Sequence, residues 1–404
     1  LDEADYVIMR APKPTLILAG TRDATFDFRG TWELFLEAKR FYSRLGRSDA
    51  VEINAPDAPH GYTLQQREAA ARWMHRWLLG SDKLIREVDA LPDSFTDEQL
   101  RAMSPGDWTQ EQLYCTPKGQ VLLMPGERSV FQINAGLAAA LKESRRTSWS
   151  SLSGDARREL VQQTIGAQPL DVRSEPKVET RATIERPGYT LRKLVLTVDE
   201  RLALPAIAFV PANPRGQATL YLHGTSLAAD AAPGGPIEKL VNAGHVVLAA
   251  ELRGIGETET GHEKRDYGYG RFGRDNQEIF LAYLIGKSFV GMRADDVQSW
   301  TRFLKNGALT GTAPTALHLT AIGEAAIPAL HAAALHGSDY RSVTLRQMIP
   351  SWEAVAGAGE TFDQAVNVVH GALRHYDLAD LIEIVGREKI RLEQPVDVMG
   401  KAMN

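Results

Sequence analysis

Short apolar runs, each closed by a glycine or a turn and each followed by a segment of helical period, recur along this chain. That alternation constrains the fold more than any other feature. A short, continuously apolar strand is buried on both faces, and helices that follow such strands cover a parallel sheet. Pro14 to Gly20 is the first such run, and Val51-Glu52-Ile53 is a second. Between them, Thr31 to Leu45 carries Leu34, Phe35, Ala38, Phe41, Tyr42 and Leu45 at helical spacing before Gly46. Leu64 to Leu79 reads as an amphipathic helix with Trp73, Trp77 and Leu78 on its apolar side, closed by Gly80. Two strand–helix units leave parallel strands short of neighbours, so further strands are expected upstream of Leu1 or from another chain.

Beyond Ser81 the pattern loosens. Thr96 to Leu100 looks like a helix start, Gly119 to Leu123 reads as a strand, and Asn134 to Leu170 as two helices rich in Ala, Arg and Gln. The apolar residues recur too regularly for a disordered linker. From Glu175 the pattern turns to β, with Val178 to Ile184, Tyr189 to Val198 and Ala206 to Val210 as antiparallel strands. Strands at Ala218 to Leu222, His245 to Ala250 and Ala316 to Ala321 then alternate with helices at Ile237 to Asn242, Asp275 to Gly286, Ala294 to Leu304 and Ala325 to Leu335. The expected class is α/β, with a doubly wound and mostly parallel sheet.

Composition narrows the partners. The 404 residues are 44% hydrophobic and 24% charged, ordinary for a globular protein. At roughly 150 residues per domain they make two to three domains. A net charge of -5 argues against nucleic acid and anionic membrane as partners. Cys115 is the single cysteine, so no intrachain disulfide and no thiolate zinc site can form. No apolar run approaches the roughly 18 residues of a membrane span. The chain opens on Leu1-Asp2-Glu3 in place of Met and a basic stretch, so the N-terminus reads as incomplete and a missing leader carries no weight.

Two residues stand out. Asp23 follows the first strand, and His60, in Pro59-His60-Gly61-Tyr62, follows the second. Catalytic groups collect at the C-terminal ends of strands in open α/β sheets. An Asp orients an imidazole that acts as general base on a hydroxyl. Acid before histidine is the chain order of a nucleophile-elbow hydrolase, whose serine precedes both. Here the acid–histidine half is present without a serine. Asp27 is the rival acid, one helical turn further from the strand end.

In the later sheet, His223-Gly224 could supply an oxyanion amide, and Gly254 and Gly256 look like turn glycines without dinucleotide spacing. Ala321-Ile322-Gly323-Glu324-Ala325-Ala326 lies where a G-x-S-x-G elbow would be. With Gly323 as the residue before the turn, Glu324 or Ala325 takes the nucleophile position, and neither restores the serine. Glu324 could act as a carboxylate nucleophile. Gln394 to Asp397 reads as an acid strand with no histidine after it. His331 and His336, five apart, do not match a zinc pair. The glycine–aromatic run Tyr267 to Arg274 could line a sugar cleft or simply pack. No cofactor or metal site is expected.

Ala11 to Ala19, Thr21-Arg22-Asp23, Pro59-His60-Gly61-Tyr62 and Arg72 to Leu78 together resemble bacterial acetylxylan-esterase-like tandem α/β-hydrolases. So do Tyr114-Cys115-Thr116 through Gly119-Gln120-Val121, Phe280 to Gly286, Gly291-Met292-Arg293 and Gly371 to Leu378. The resemblance implies the C-terminal half of a first α/β-hydrolase domain at 1–84, a mixed connector at 85–174, and a second, degenerate hydrolase domain at 175–404. It implies a carboxylic-ester hydrolase with Asp23 and His60 in a Ser-His-Asp triad, a serine outside this chain, and an acylated carbohydrate or other small ester as substrate. The resemblance alone suggests a periplasmic or secreted location, and the sequence itself decides neither the compartment nor whether the chain forms a homo-oligomer. The alternatives are a serine peptidase of the prolyl-oligopeptidase type, or a non-catalytic glycan-binding or dimerisation scaffold.

Overall fold

The computed structural model describes residues 2–87, 111, 114–169, 175–198, 202–259 and 276–403. The helix start at Thr96 and the glycine–aromatic run at Tyr267 lie outside the described residues. The chain forms two compact units, Leu1–Met124 and Pro125–Asn404.

In the first unit, β1 (Thr15–Leu18) and β2 (Val51–Asn54) pair in parallel, Thr15 with Val51 through Leu18 with Asn54. Helix α1 (Glu3–Met9) precedes them, α2 (Phe28–Arg44) connects them and α3 (Leu64–Leu79) follows. Asp27 caps α2 by accepting from the Arg29 amide, which accounts for an acid at that position. Thr63 and Gln66 form a capping box at the start of α3, and Gly80 ends that helix at φ +67°. Ala38, Tyr42, Ala50 and Val51 form the small core, with Tyr42 donating to the Lys13 carbonyl at 2.8 Å. Leu78 departs from expectation. Trp73 is buried, whereas Leu78 is 74% exposed. Five residues advance a helix about 140° past Trp73, so the two cannot share a face. The expected strand at Gly119 to Leu123 is a pair of 3₁₀ turns, Pro117–Gly119 and Val121–Leu123. Gly119 sits at φ +67°, and Val121, Leu122 and Leu123 are exposed.

The second unit holds a mixed eight-stranded sheet in the order β10-β9-β8-β6-β7-β5-β4-β3. Its antiparallel side comprises β3 (Lys177–Arg186), β4 (Tyr189–Thr197) and β5 (Ala203–Pro211). The parallel side comprises β6 (Gln217–His223), β7 (His245–Ala250), β8 (Ala316–Ile322), β9 (Ser342–Arg346) and β10 (Ile390–Glu393). Alternate residues of the central strands feed two cores. Leu220, Leu222, Val246, Leu248 and Ala250 join the larger, whereas Tyr221, Val247 and Ala249 join the smaller. Burial on both faces is what the continuous apolar runs require.

The smaller core is closed by α6 (Pro236–Asn242), which contributes Ile237 and Val241. The larger takes Trp149 from α4 (Val130–Ser151) and Val161 and Ile165 from α5 (Gly154–Ile165), so both helices of the segment read as a connector pack into this unit. After α7 (Asn276–Leu284), helices α8 (Phe289–Lys305) and α9 (Ala326–Leu335) complete that layer. His331 on α9 is fully buried, with Nδ1 2.8 Å from the Ile327 carbonyl and Nε2 3.1 Å from the Tyr376 hydroxyl. Burial pushes its pKa down to about 4, so it is a neutral core residue. Among the described residues no helix is long and apolar enough to cross a membrane, and no group of three or more His, Cys, Asp or Glu is placed to hold a metal ion.

Candidate active site

The loops that leave β1 and β2 zip together beyond the strands. Ala19 N donates to Asn54 O at 3.1 Å, Thr21 N to Pro56 O at 3.0 Å, and Arg22 N to Ala58 O at 3.1 Å. Arg22 also binds the Asp57 carboxylate through Nε at 2.7 Å. Gly20 lies at the tightest approach, where a Cβ would come within 2.4 Å of the Ala58 carbonyl oxygen. A glycine after the strand is therefore a condition for the two loops to close.

That closure brings Asp23 and His60 together. Asp23 Oδ2 and His60 Nδ1 are 2.9 Å apart. The other carboxylate oxygen accepts from the Thr25 amide at 2.8 Å and the Phe26 amide at 3.0 Å. The Asp23 side chain is 9% exposed and His60 58%. Burial acts to raise the Asp23 pKa. It is outweighed by the Phe26 amide, the His60 ring and the Thr25 amide, so the carboxyl lies below its ordinary value. The Phe26 ring lies 5.5 Å from the imidazole, centroid to centroid. An ionised carboxylate on Nδ1 favours the tautomer with its proton there, which leaves Nε2 as a base. Asp27 takes no part in this pair.

The second unit gives a different picture at its parallel strand ends. Strand β8 stops at Ile322, a 3₁₀ turn covers Gly323–Ala325, and α9 begins at Ala326. The residue at the corner is Gly323, at φ +61°. This corrects the register expected from sequence. The turn position is occupied by Gly323 itself, neither Glu324 nor Ala325, with small residues Ala321 and Ala325 two away on each side. The corner therefore carries no side chain at all.

Glu324 is anchored. Arg293, fully buried, donates to its Oε1 at 2.6 Å, and the same guanidinium donates through Nε to the Arg253 carbonyl at 2.8 Å. Arg253 in turn pairs with the fully buried Asp296. A carboxylate neutralised in this way is a structural tie of the turn. The Gly224 amide donates to the Ile322 carbonyl at 2.9 Å, so it is spent inside the turn and is no free oxyanion donor. Gly254 and Gly256 are turn glycines at φ +71° and +63°. Strand β10 ends at Glu393, one residue before the predicted acid strand. Asp397 lies in a turn, accepting from the Met399 and Lys401 amides at 2.9 Å each.

Sequence reasoning passed over β9 and the carboxamides that follow β9 and β10. The period-two pattern of Ser342-Val343-Thr344-Leu345-Arg346, with Val343 and Leu345 buried, was the available signal for the strand.

No family model matches the sequence, and no curated protein does. Solved structures do. A Bacteroides fragilis protein assigned as an acetyl xylan esterase is similar at a TM-score of 0.53 and 11% identity, over 68% of this chain and 77% of that one. Acetyl xylan esterase 1 from Thermoanaerobacterium sp. covers 62% of this chain and 89% of its own at 14% identity, TM-score 0.38. An acetyl xylan esterase from Paenibacillus sp. R4 covers 68% and 82% at 13% identity, TM-score 0.37. The chain is an α/β protein whose mixed eight-stranded sheet resembles that of α/β-hydrolase esterases, and at such identity the likeness is one of fold.

Proposed function

We propose that Asp23 and His60 are the acid and base of a Ser-His-Asp triad in a carboxylic-ester hydrolase of the carbohydrate-esterase kind. The reading rests on one observation: the 2.9 Å contact between Asp23 Oδ2 and His60 Nδ1 at the ends of adjacent parallel strands. No Ser or Cys precedes Asp23, so the nucleophile of this reading comes from outside these residues.

In the first half-reaction a serine hydroxyl attacks the ester carbonyl carbon while His60 Nε2 takes its proton. The C–O bond to the sugar breaks, and the imidazolium returns the proton to the departing alcohol, leaving an acyl-serine. Water repeats the sequence and releases the carboxylic acid. Asp23 holds the ring in register and stabilises its charged form without taking the proton. The acetyl group and the plant-polysaccharide substrate are the part of this reading that resemblance supports and geometry does not address.

The test is to express these residues with any coding sequence that flanks them and to assay 4-nitrophenyl acetate and acetylated xylan. The flanked protein is expected to turn over ester, and His60→Ala to lower kcat by about 10⁶. No activity in the flanked wild type, or full activity in His60→Ala, would overturn the assignment.

A further inference from the structure

A cavity of about 560 Å³ opens over the C-terminal ends of β6, β8, β9 and β10 in the second unit. Its backbone is unusual. Four non-glycine residues among those described have φ in the left-handed region: Lys118, Gln347, Asp363 and Gln394. Three of the four, Gln347 (φ +53°), Asp363 (φ +51°) and Gln394 (φ +50°), line this one cavity. Gln347 and Gln394 each come directly after a strand, as Gly323 does after β8. Glutamine gains no local hydrogen bond that would favour this conformation, unlike Asn or Asp, and left-handed non-glycine residues cluster where a ligand is held.

A second observation points the same way. Asn367 also lines the cavity and is 8% exposed. Its side-chain Oδ1 is buried without a hydrogen-bond partner, although its backbone carbonyl accepts from Trp352 Nε1 at 2.8 Å. A buried carbonyl left unpaired costs about 1–3 kcal/mol, and because this oxygen is closed off from solvent, a ligand in the cavity would offset that cost only by drawing the Asn367 carboxamide round toward it. At the corner, a Cβ on Gly323 would meet nothing closer than Gln347 Oε1 at 4.0 Å, so the absent side chain leaves open volume.

The lining chemistry selects the ligand. Gln347, Gln364, Asn367 and Gln394 contribute carboxamides, which both donate and accept, with Gln364 Nε2 donating to the Phe362 carbonyl at 3.0 Å; among the described residues the carboxylates of Glu324 and Asp363 also line the cavity, and no Lys or Arg does. Glu324 is already matched by Arg293. His223 Nδ1 accepts from the Thr225 amide at 3.2 Å, so the proton of the neutral ring sits on Nε2. Ile327, Met348, Ile349, Phe362 and Val396 add an apolar wall. Amides that pair with hydroxyls, beside a wall that accepts C–H faces, match a sugar, and the volume lies in the range of small-molecule sites.

We propose that this cavity binds a neutral polyhydroxylated ligand, a mono- or disaccharide, without cleaving it. The site is independent of the Asp23–His60 reading and would stand if that reading failed. The test uses the full 404-residue chain, with calorimetry and saturation-transfer NMR against xylobiose and cellobiose, and galacturonate and glucosamine as charged controls. At least one neutral disaccharide is expected to bind with a millimolar or tighter Kd and to be recovered intact. Asn367→Ala and Gln394→Gly should each weaken it tenfold or more. Glycine adopts φ +50° freely, so Gln394→Gly should keep or raise Tm, which separates lost binding from lost fold. Failure of both neutral disaccharides to bind, binding of the charged controls alone, or full affinity in both variants would overturn the proposal.

Discussion

The two units place different chemistry at the same kind of position. At the ends of two adjacent parallel strands, the first unit holds Asp23 and His60 in hydrogen-bond contact. At the ends of three adjacent parallel strands, the second holds Gly323, Gln347 and Gln394, all in left-handed backbone conformation. Strand ends in such sheets bring side chains from separate segments together whatever those side chains are. An ionisable pair can move a proton. A bare corner flanked by carboxamides supplies no nucleophile at that position, and we read it as a place to hold a ligand. The architecture supplies the meeting place, and a handful of residues decide between chemistry and binding.

The sharpest way to break this comparison is to change the acid in each unit. In a flanked, active protein, Asp23→Asn should lower kcat by about 10⁴, because the ring loses both its preferred tautomer and the charge that stabilises its imidazolium. Asp397→Asn should leave ester turnover unchanged, since Asp397 only organises a turn. Equal losses in the two variants, measured on 4-nitrophenyl acetate, would mean that the second unit takes part in the reaction.

Next in size is the tie beneath the bare corner. Arg293→Ala removes the guanidinium that pairs with Glu324 and that also stacks on the Phe289 ring at 4.4 Å. Breaking a buried pair in this way costs about 3–5 kcal/mol, and denaturant unfolding of the second unit should show it. A loss below about 1 kcal/mol would mean that Glu324 is solvated and the turn is held by other contacts.

The two histidines that each unit draws attention to differ in burial, and that difference can be titrated. His331 is fully buried, and burial holds its pKa at about 4. The unfolded value is about 6.5, so the folded state resists protonation. Stability is intact above pH 6.5 and is lost as pH falls toward 4, by about 3 kcal/mol over the full passage. Comparing unfolding at pH 7.5 and 4.5, His331→Gln should show a smaller acid loss than the wild type. An unchanged difference would assign the acid sensitivity to other groups, the carboxylates and the half-buried His223, His245 and His318.

These contrasts also mark what a sequence can carry. Short apolar runs and helical spacing were enough to place β1, β2, β6, β7 and β8 and the helices between them; for β6, β7 and β8 the trace is burial on both faces, whereas β1 and β2 are only partly buried. The Asp23–His60 contact was foreseeable from chain order, since loops after adjacent parallel strands have to meet. The corner at Gly323 was read one or two residues late, at Glu324 or Ala325, because Gly fits both the position before a turn and the turn itself, and only φ distinguishes them. The cavity left no trace. Gln347 and Gln394 are ordinary polar residues until their backbone conformation is known, and Asn367 until its burial is.

The smallest of these effects tests the geometry on which the first unit depends. Gly20→Ala sets a Cβ 2.4 Å from the Ala58 carbonyl oxygen and 2.9 Å from that of Pro59, both backbone atoms with no side-chain freedom to yield. The φ of Gly20 is not in the left-handed region, so the penalty is steric alone, about 1–3 kcal/mol. The chain can relieve it only by parting the loop that bears Asp23 from the loop that bears His60. A positional error of about 1 Å costs on the order of 100-fold in rate, so in the active protein turnover should fall further than the stability loss explains. Should Gly20→Ala melt earlier but keep its kcat, the closure of these loops serves the fold, and the pairing of acid and histidine does not depend on it.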